Sequence, residues 1–520
     1  MVSSSEWSSR GKLWALIAVA TALRLAWATS LGPGNDEAYH ALFARHPDWS
    51  YFDHPPMLAL VARAGLTVVG DDTSAVGLRL GFIALFAGST WLMARLAGRA
   101  FGIRAAWPAA LALNVSGYFG LAAGTFALPD GPLVFFWLLT LDRLAAAFER
   151  PASLGRWAGA GLAWGGALLS KYHAVFLPLG AVLFVAVEPR ARAVLRRPGP
   201  YLAGLLGLLV FSPVLAWNAQ HHWASFAFQG ARAVGAPAFR PKDVAMSVVG
   251  PLLYLFPWIW LGLVRAGLGA AWRVRDEGLT GRFLLCEAVV PLAVFGAVSC
   301  VRPILPHWPL VGYLALLPLL GRSWAERIEA RPLRMRRVLA MAATLPIVLG
   351  IAIAGQTRAG WFQDRQGRLF GVVKPLADPS VELYFWEPLT EELRRRGLVD
   401  RPGQFLFTNR WYQSAQLAFT LGDRVPVACY TADPRNFAYW SRPSDWVGRD
   451  GLLVAIDANE LEPEYYRRWF RRIEPVGVVE LRRAGSVVRT ARLYRCEGQT
   501  WPFPFAHEPP TRLAARGSSR

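Results

Sequence analysis

Three carboxylates follow the first apolar segment of the chain. Asp36 and Glu37 lie in the stretch 34–40, and Asp53 lies one short helix later in the stretch 51–57. Charged groups at the rim of a bilayer are costly unless they bind or react with something. These acids are therefore candidates for catalysis or ligand binding, and other elements of the chain must position them.

The composition indicates a membrane protein with a soluble C-terminal part. The chain has 520 residues, is 54% hydrophobic and contains 23 tryptophans. Apolar runs of about 18–22 residues, enough to cross a hydrocarbon core, fill roughly its first two thirds. We predict about 11 spans, near residues 13–30, 76–98, 105–124, 129–148, 157–170, 173–187, 200–217, 243–264, 283–301, 304–320 and 337–355. Residues 1–355 then form a mostly α-helical polytopic domain, and residues 356–520 form a second domain.

The distribution of positive charge along the chain indicates its membrane topology. The net charge is +20, but the arginines cluster in short loops that alternate with loops poor in basic residues. This pattern marks the cytoplasmic side and predicts an inside N-terminus and an extracytoplasmic C-terminal domain. The charge indicates contact with anionic membrane lipids, and no nucleic acid partner is expected. Because Arg24 interrupts the first apolar run and further spans follow, we interpret 13–30 as a retained helix rather than a signal peptide.

The same topology places the unusual polar residues of the membrane region on the outer side. They are Asp36, Glu37, Asp53 and His54 in the first outer loop, Asp130 in the second, Lys171 and Tyr172 in the third, Asn218, Gln220, His221 and His222 in the fourth, and Arg302 with His307 in the last. A transporter would instead gather polar groups near the midplane and show internal repeats. The clustering favours an active site at the outer interface.

These motifs together resemble the bacterial family 39 glycosyltransferases of the integral-membrane GT-C class. The likeness rests on the acidic pair after the first helix, the Tyr-Phe-Asp-His-Pro-Pro stretch at 51–56, and the motifs at 128–132, 169–172, 213–218 and 306–309. That group includes the lipid A aminoarabinose transferases and the protein O-mannosyltransferases. The resemblance covers about 30–355 and implies inverting transfer of a sugar from a polyprenyl-phosphate carrier. Similar proteins also carry a soluble outer domain.

Asp36 is the predicted catalytic base. Inverting transfer needs a carboxylate that takes the proton of the acceptor hydroxyl, and partial desolvation near the membrane would raise the pKa of this acid. Asp36 could instead cap the following helix. Glu37 is a second catalytic candidate, and its alternative role is that of an acid at a helix start.

Asp53 and His54 match a family position where an acidic and a basic residue precede two prolines. In the aminoarabinose transferases the acid contacts a metal and its neighbour is lysine, so His54 is a departure. The pair could bind a divalent cation, with Asp53 as ligand, or hydrogen-bond a donor phosphate. Asp53 could also cap a helix. A divalent metal is thus a possible cofactor, and no other cofactor is expected.

The next two outer loops supply one acid and one lysine. Asp130 could form a polar wall of the acceptor or donor site, or begin the fourth span as a cap. Lys171, the only lysine between Lys12 and Lys242, could neutralise the phosphate leaving group, or extend to the interface as lysines at span ends do. Tyr172 could bind the same phosphate or belong to the aromatic belt.

The last two outer loops add further pocket candidates. Asn218, His221 and His222 are pocket candidates, and the two histidines could supply a metal ligand or a phosphate contact, although adjacent histidines are also common interfacial residues. Arg302 would suit a phosphate or a sugar carboxylate, and His307 lies beside it in the pocket. Simple anchoring is the alternative for both.

The outer domain is predicted to be a small α/β domain. Strands are expected near 405–408, 425–430, 452–456, 476–481 and 487–495, and helices near 390–396, 412–420 and 463–472. We expect this domain to recognise the acceptor or to close over the site. A disulfide between Cys429 and Cys496 could persist outside the cytoplasm, and we leave that pairing open, whereas Cys286 and Cys300 should stay free.

The sequence therefore predicts a transferase of the bacterial cytoplasmic membrane whose active site faces outward. Its donor would be a polyprenyl-phosphate-linked sugar and its acceptor a cell-envelope lipid or glycan. A protein serine or threonine is an alternative acceptor. A sugar-lipid transporter with an extracytoplasmic sensor domain is the alternative from a different class.

Overall fold

The structure is a computed structural model that describes residues 4–231, 239–363, 375–399, 401–456, 463–483 and 485–505. The chain divides into two compact units. The helical unit comprises 1–28, 48–65 and 79–349, and the sheet unit comprises 29–47, 66–78 and 350–520. The sheet unit therefore includes two N-terminal segments, the first of which carries Asp36 and Glu37.

The described elements follow one another in this order. The helices are α1 Ser4–Ala28, α2 Asn35–Arg45, α3 Met57–Val69, α4 Ala75–Phe101, α5 Ile103–Val115, α6 Asp130–Glu149, α7 Leu154–Ser170, α8 Phe176–Val187, α9 Pro198–Gln220, α10 Ala224–Ala231, α11 Pro241–Tyr254, α12 Pro257–Trp272, α13 Leu279–Ser299, α14 Leu310–Leu314, α15 Leu317–Ala330, α16 Pro332–Ala359, α17 Trp386–Arg395, α18 Trp411–Leu421 and α19 Phe437–Trp440. The strands are β1 Phe405–Thr408, β2 Val427–Cys429, β3 Gly451–Ile456, β4 Phe470–Arg483 and β5 Ser486–Gln499.

The helices include several that could span a membrane. By length and composition, 6 helices of the described chain qualify, or up to 7 if the bent pair α11 and α12 counts as one span. The span count predicted from the sequence is not confirmed by this number. The predicted span at 243–264 is wrong as a continuous helix, because α11 and α12 meet at an angle of 111°. The break lies at Phe256, with a φ of 68°, directly before Pro257 at the start of α12.

Ion pairs join several of the arginine-rich loops of the helical unit. Buried Asp142 in α6 pairs with Arg95 and Arg99 of α4, with nitrogen–oxygen distances of 3.2 Å in both cases. The other bridges are Arg104 with Glu329, Arg282 with Glu188 and Arg322 with Glu277. Because each bridge joins two basic loops that are distant in sequence, these loops lie at a common end of the unit, as the charge pattern predicts.

The sheet unit contains one five-stranded sheet in the order β2-β1-β3-β5-β4. The three strands β2, β1 and β3 are parallel, whereas β5 pairs antiparallel with β3 and β4. The predicted strands are all present, and β4 and β5 are longer than expected. The helix predicted at 463–472 is wrong: a 3₁₀ turn covers Pro463–Arg468, and β4 begins at Phe470.

The four cysteines are free, so the open question of a bond between Cys429 and Cys496 is answered against it. Cys429 ends β2 and Cys496 lies in β5, and β1 and β3 separate these strands. Three strand spacings place their backbones about 14 Å apart, beyond the roughly 7 Å limit of a disulfide. Both thiols are buried.

We expect these two thiols to resist modification in the folded protein. Burial raises the pKa of Cys496 to about 12 and also raises the pKa of Cys429, and the thiolate is the reactive species. Brief iodoacetamide treatment at pH 8 followed by peptide mass spectrometry should show both unmodified. Half-exposed Cys300 is the internal positive control. Rapid labelling of Cys429 or Cys496 would contradict the buried sheet positions.

Candidate active site

A buried ion pair lies at the polar end of the helical unit, opposite the arginine-rich end. The ammonium of Lys171 donates to both carboxylate oxygens of Asp130, at 3.0 and 2.9 Å. Asp130 is the first residue of α6, and Pro129 occupies the cap position, so the capping role considered for Asp130 is not present. Lys171 ends α7 in an extended conformation. The side chains of Asp130 and Lys171 are only 9% and 10% exposed, respectively, so the pair is buried.

Two histidines lie near this pair, and a third lies near one of them. His173 and His307 lie within electrostatic range of Asp130, and His54 lies within range of His173. These five side chains come from four segments that are distant in sequence. The predicted convergence of the outer loops is therefore present for the residues that belong to the helical unit.

A π-helical turn supports one side of this cluster. Residues Gly117–Ala123 form the turn, and its Tyr118 stacks on His307 with ring centroids 5.5 Å apart. Buried Arg24 of α1 holds the turn by donating to the carbonyl oxygen of Gly120 at 2.9 Å and to Asn114 Oδ1 at 3.0 Å. π-Helical turns occur frequently at functional sites. Arg24, read from the sequence only as an interruption of a span, thus has a structural role.

The loop that carries Asp53 and His54 is fixed by α9 and α10. Trp217 Nε1 donates to Asp48 Oδ2 at 2.8 Å. Ser225 Oγ donates to the carbonyl oxygen of Tyr51 at 2.8 Å, and Gln229 Nε2 donates to that of Asp53 at 2.9 Å. Asp53 itself is 3% exposed. The fourth outer loop therefore positions the first.

Tyr172 faces the same loop. Its buried hydroxyl is directed toward Ser50, Ser225 and Asn218. Asn218 is fully buried and bridges α9 and α10, since it donates to the carbonyl oxygen of Val214 and accepts from the backbone of Ser225. These contacts give Asn218 a structural role beside the predicted pocket role.

The remaining candidates of the helical unit lie at its edge. His221 stacks on Trp217 with ring centroids 4.0 Å apart and contacts the carbonyl oxygen of that residue. His222 is exposed, with a φ of 53°. Arg302 is half-buried in the segment after α13, and its side chain has no ion pair with the described residues. Pocket roles for these three residues stay predictions.

Asp36 and Glu37 lie on α2 in the sheet unit. Gly34 caps α2, so Asp36 occupies the first turn rather than the cap position. Glu37 is 3% exposed and accepts a hydrogen bond from the backbone N–H of Gly34 at 3.0 Å, as the acid of a capping box does. Asp36 is exposed, so the protein alone does not provide the desolvation expected for it.

Several supporting residues were not singled out from the sequence as site residues. They are ordinary residues in apolar or turn segments: Ser50, Tyr118, His173, Ser225 and Gln229. Of these, only His173 directly follows the candidates Lys171 and Tyr172. Its position next to Lys171 was the one available signal. The others are brought in by packing between helices that are distant in sequence, which a single sequence does not encode in a readable pattern.

Metal binding has no geometric support among the described residues. No three His, Cys, Asp or Glu side chains in that part of the chain are arranged to hold a metal ion. A metal role for Asp53 stays a prediction, and the reaction proposed below contains no metal-dependent step.

The fold is that of the integral-membrane glycosyltransferases of the GT-C class. ArnT from Cupriavidus metallidurans has the same fold, with a TM-score of 0.63 for its complex with undecaprenyl phosphate, at 17% identity over 98% of this chain and 100% of that chain. Its apo structure gives a TM-score of 0.61, at 18% identity over 92% of this chain and 97% of that one.

Within this class the comparisons confirm the resemblance to the family 39 glycosyltransferases. A family described as dolichyl-phosphate-mannose-protein mannosyltransferase matches residues 53–217, a stretch that includes Asp53, Asp130 and Lys171. The lipid A galacturonosyltransferase RgtD of Rhizobium johnstonii is 26% identical over 238 residues, which is 43% of this chain and 48% of that protein.

A second curated relative is an arabinosyl transferase. The undecaprenyl phosphate-alpha-4-amino-4-deoxy-L-arabinose arabinosyl transferase 1 of Pseudomonas fluorescens is 31% identical over 231 residues, 42% of this chain and 40% of that protein. This chain therefore spans less than half the length of these curated relatives in the matches.

Proposed function

We propose that the protein is an inverting glycosyltransferase that uses a polyprenyl-phosphate-linked sugar and modifies a cell-envelope lipid or glycan. The observation that carries this proposal is the buried pair of Asp130 and Lys171, with two histidines nearby, at the polar end of an apolar helical unit. A lipid donor needs a polar site beside an apolar body, because its tail stays in hydrocarbon while its phosphate requires hydrogen-bond donors, and the ammonium of Lys171 is such a donor. The names of both curated relatives describe transfer of a sugar, one to lipid A and one from undecaprenyl phosphate.

The proposed reaction exchanges one bond to the anomeric carbon for another. The acceptor hydroxyl oxygen attacks the anomeric carbon from the face opposite the phosphate, and the bond between that carbon and the phosphate oxygen breaks. The acceptor proton passes to the carboxylate of Asp36. The products are the glycosylated acceptor, with inverted configuration, and the polyprenyl phosphate with the bonding electron pair.

Lys171 would stabilise the departing phosphate. Asp130 occupies two hydrogen-bonding directions of the ammonium, and an ammonium has three donors, so one direction remains for a phosphate oxygen. Asp130 fixes the ammonium before the donor arrives, which reduces the reorganisation that charge stabilisation requires. His54 would bind the same phosphate from the neighbouring loop, and the carboxylate of Asp53 would contact it only through a bound cation.

The arginine distribution supports a location in the bacterial cytoplasmic membrane with the site facing outward. The arginine-rich end of the helical unit corresponds to the cytoplasmic side under the positive-inside rule. The pair of Asp130 and Lys171 lies at the other end. A cysteine introduced at His222 in a Cys300→Ala background tests this orientation with an impermeant maleimide. Labelling in intact cells supports it, and labelling only after lysis contradicts it.

Deletion of the gene tests the proposed function. Envelope lipids and glycans from the deletion strain should lack one glycosylated species by mass spectrometry, and the wild-type gene should restore it. The Asp36→Asn gene, expressed at the same level, should not. Unchanged envelope glycans and lipids in the deletion strain would contradict the proposal.

A protein acceptor is a second candidate, because the matched family is described by transfer to protein. The donor chemistry would be the same, and a serine or threonine hydroxyl would replace the lipid or glycan hydroxyl. Glycopeptide mass spectrometry on the same two strains separates the candidates: loss of an O-linked sugar with unchanged lipids and glycans would favour the protein acceptor.

A further inference from the structure

The helix that carries Asp36 is held by the sheet unit along its whole length. Eight consecutive residues of α2, from Glu37 to Ala44, are buried, whereas Asp36 at its start is exposed. Because α2 is so deeply packed, it holds Asp36, its one exposed acid, in a fixed position. Catalytic groups on such elements keep their geometry better than groups on loops.

The N-terminal end of α2 is held by one amide. Gln416 of α18 donates through Nε2 to the carbonyl oxygen of Pro33 at 3.0 Å and to Asn35 Oδ1 at 3.1 Å. Gln416 is fully buried. These contacts fix the two residues that flank the cap Gly34, immediately before Asp36.

The middle and the end of α2 have their own anchors. Asn436 donates through its backbone and side-chain nitrogens to the Tyr39 hydroxyl, at 3.1 and 2.8 Å. Arg45 donates to the carbonyl oxygens of Ala418 and Phe419 at the end of α18, at 2.7 and 3.1 Å. A cation at a helix C-terminus is electrostatically favourable there.

We propose that Gln416 and Asn436 are positioning residues for Asp36, so that the sheet unit sets the geometry of the catalytic base. This inference rests on the proposed function. It predicts that loss of either contact shifts or loosens α2 and lowers the rate of transfer. A displacement of about 1 Å at a reacting group can lower a rate about 100-fold.

The test compares Gln416→Met, Asn436→Ala and Tyr39→Phe with the wild type in a transfer assay using purified protein in nanodiscs. We expect kcat to fall about 10- to 100-fold while KM for the donor and the melting temperature change little. Gln404→Met is the matched control, because Gln404 also donates its amide to a backbone carbonyl, that of Leu398, away from α2.

Combination with Asp36→Asn separates positioning from general damage. A residue that acts through Asp36 should have no further effect on the residual rate in the Asp36→Asn background. Equal losses in both backgrounds, or wild-type kcat in all three variants, would overturn the positioning role. Retained activity of Asp36→Asn alone would instead refute the catalytic base of the proposed function.

A separate cavity in the helical unit extends along α8, from Leu177 to Arg192 at the arginine-rich end. It has a volume of about 400 Å³ and lies between α6, α7, α8 and the start of α9. Its polar side chains are already satisfied: Thr140, Trp157 and Trp164 donate to the carbonyl oxygens of Phe136, Pro151 and Ala174. The lining therefore offers apolar contact only, apart from Arg192.

The rim of this cavity is cationic. Arg192 is exposed and lines the cavity, and Arg190, Arg196 and Arg197 are exposed in the same segment. The nearby acid Glu188 is paired with Arg282. An apolar groove with a cationic rim matches an alkyl chain attached to an anionic headgroup.

We infer that this cavity binds an anionic phospholipid, with an acyl chain in the groove and the phosphate at Arg192. The donor lipid does not fit this assignment. Lys171 precedes α8 and Arg192 follows it, and the 12 residues of α8 rise about 18 Å. A phosphate at Arg192 is therefore at the wrong end of the unit for transfer.

Native mass spectrometry of the protein released from nanodiscs tests this site. The nanodiscs contain equal parts of phosphatidylglycerol and phosphatidylcholine. The wild-type protein released from them should retain phosphatidylglycerol. Arg192→Gln should weaken its retention about fivefold, the effect of about 1 kcal/mol per arginine. Gly204→Phe should abolish it, because Gly204 lines the cavity and has open space around its Cβ position.

The matched controls are Arg273→Gln and Gly269→Phe. Arg192 donates to the carbonyl oxygen of Ala186 and Arg273 to that of Gly269. Gly269, like Gly204, has open space around its Cβ position, but neither Arg273 nor Gly269 lines the cavity. Equal retention by all variants, or equal retention of phosphatidylcholine, would show ordinary annular lipid and overturn the site.

Discussion

Asp36→Asn should reduce sugar transfer about 100- to 10,000-fold, the usual contribution of a general base. The amide keeps the size of the side chain but does not accept the acceptor proton. Because Asp36 is exposed and lies in the first turn rather than at the cap of α2, the substitution should not change folding. Single-turnover transfer with a synthetic polyprenyl-phosphate sugar measures the chemical step directly.

Asp276→Asn is the control for this experiment. Asp276 is also an exposed aspartate, in the segment between α12 and α13, and has no predicted role. Binding of the donor to Asp36→Asn should stay within about twofold of the wild type, since the base contacts the acceptor. Transfer above about a tenth of the wild-type rate would show that Asp36 is not the base.

Much of the fold was predictable because periodicity and charge report on local structure. The apolar runs coincide with helices such as α4, α6, α9 and α13, and the strand at 405–408 is present residue for residue. The break between α11 and α12 was missed, although Pro257 follows Phe256 directly, because apolar composition continues across the break. The wrong helix at 463–472 has a similar cause, because the charged residues of the 3₁₀ turn Pro463–Arg468 and of the first residues of β4 resemble a polar helix.

The polar candidate residues could be identified one by one from the sequence, but the contacts between them could not. Asp130 and Lys171 were each identified in separate outer loops, yet nothing in either loop shows that one binds the other through two hydrogen bonds. That α2 belongs to the sheet unit could also not be predicted from the sequence. It depends on Gln416, Asn436 and the end of α18, almost 400 residues further along the chain, and a single sequence gives no pattern for such distant pairing.

Removing the charge of Asp130 or of Lys171 alone should lower the stability of the protein. Removing both charges together should restore most of the stability but not the activity. Lys171→Met leaves a buried carboxylate unpaired, and Asp130→Asn leaves a buried ammonium without its partner. Either change should destabilise the protein by about 3–5 kcal/mol. The double variant Asp130→Asn/Lys171→Met buries no unpaired charge, so it should recover most of the lost stability, while the introduced amide, without the ammonium, keeps a cost of about 1–3 kcal/mol.

Activity should not return with stability if Lys171 stabilises the phosphate. The double variant should fold, by thermal unfolding in nanodiscs, and still transfer sugar at least about 100-fold more slowly, the usual cost of one transition-state charge contact. A double variant of the distant pair Glu277→Gln/Arg322→Met is the matched control, since Arg322 also makes two hydrogen bonds to its acid, and it should keep normal activity. If the Asp130→Asn/Lys171→Met protein is both stable and active, the pair is purely structural, and phosphate binding must be assigned to His54 or Arg302 instead.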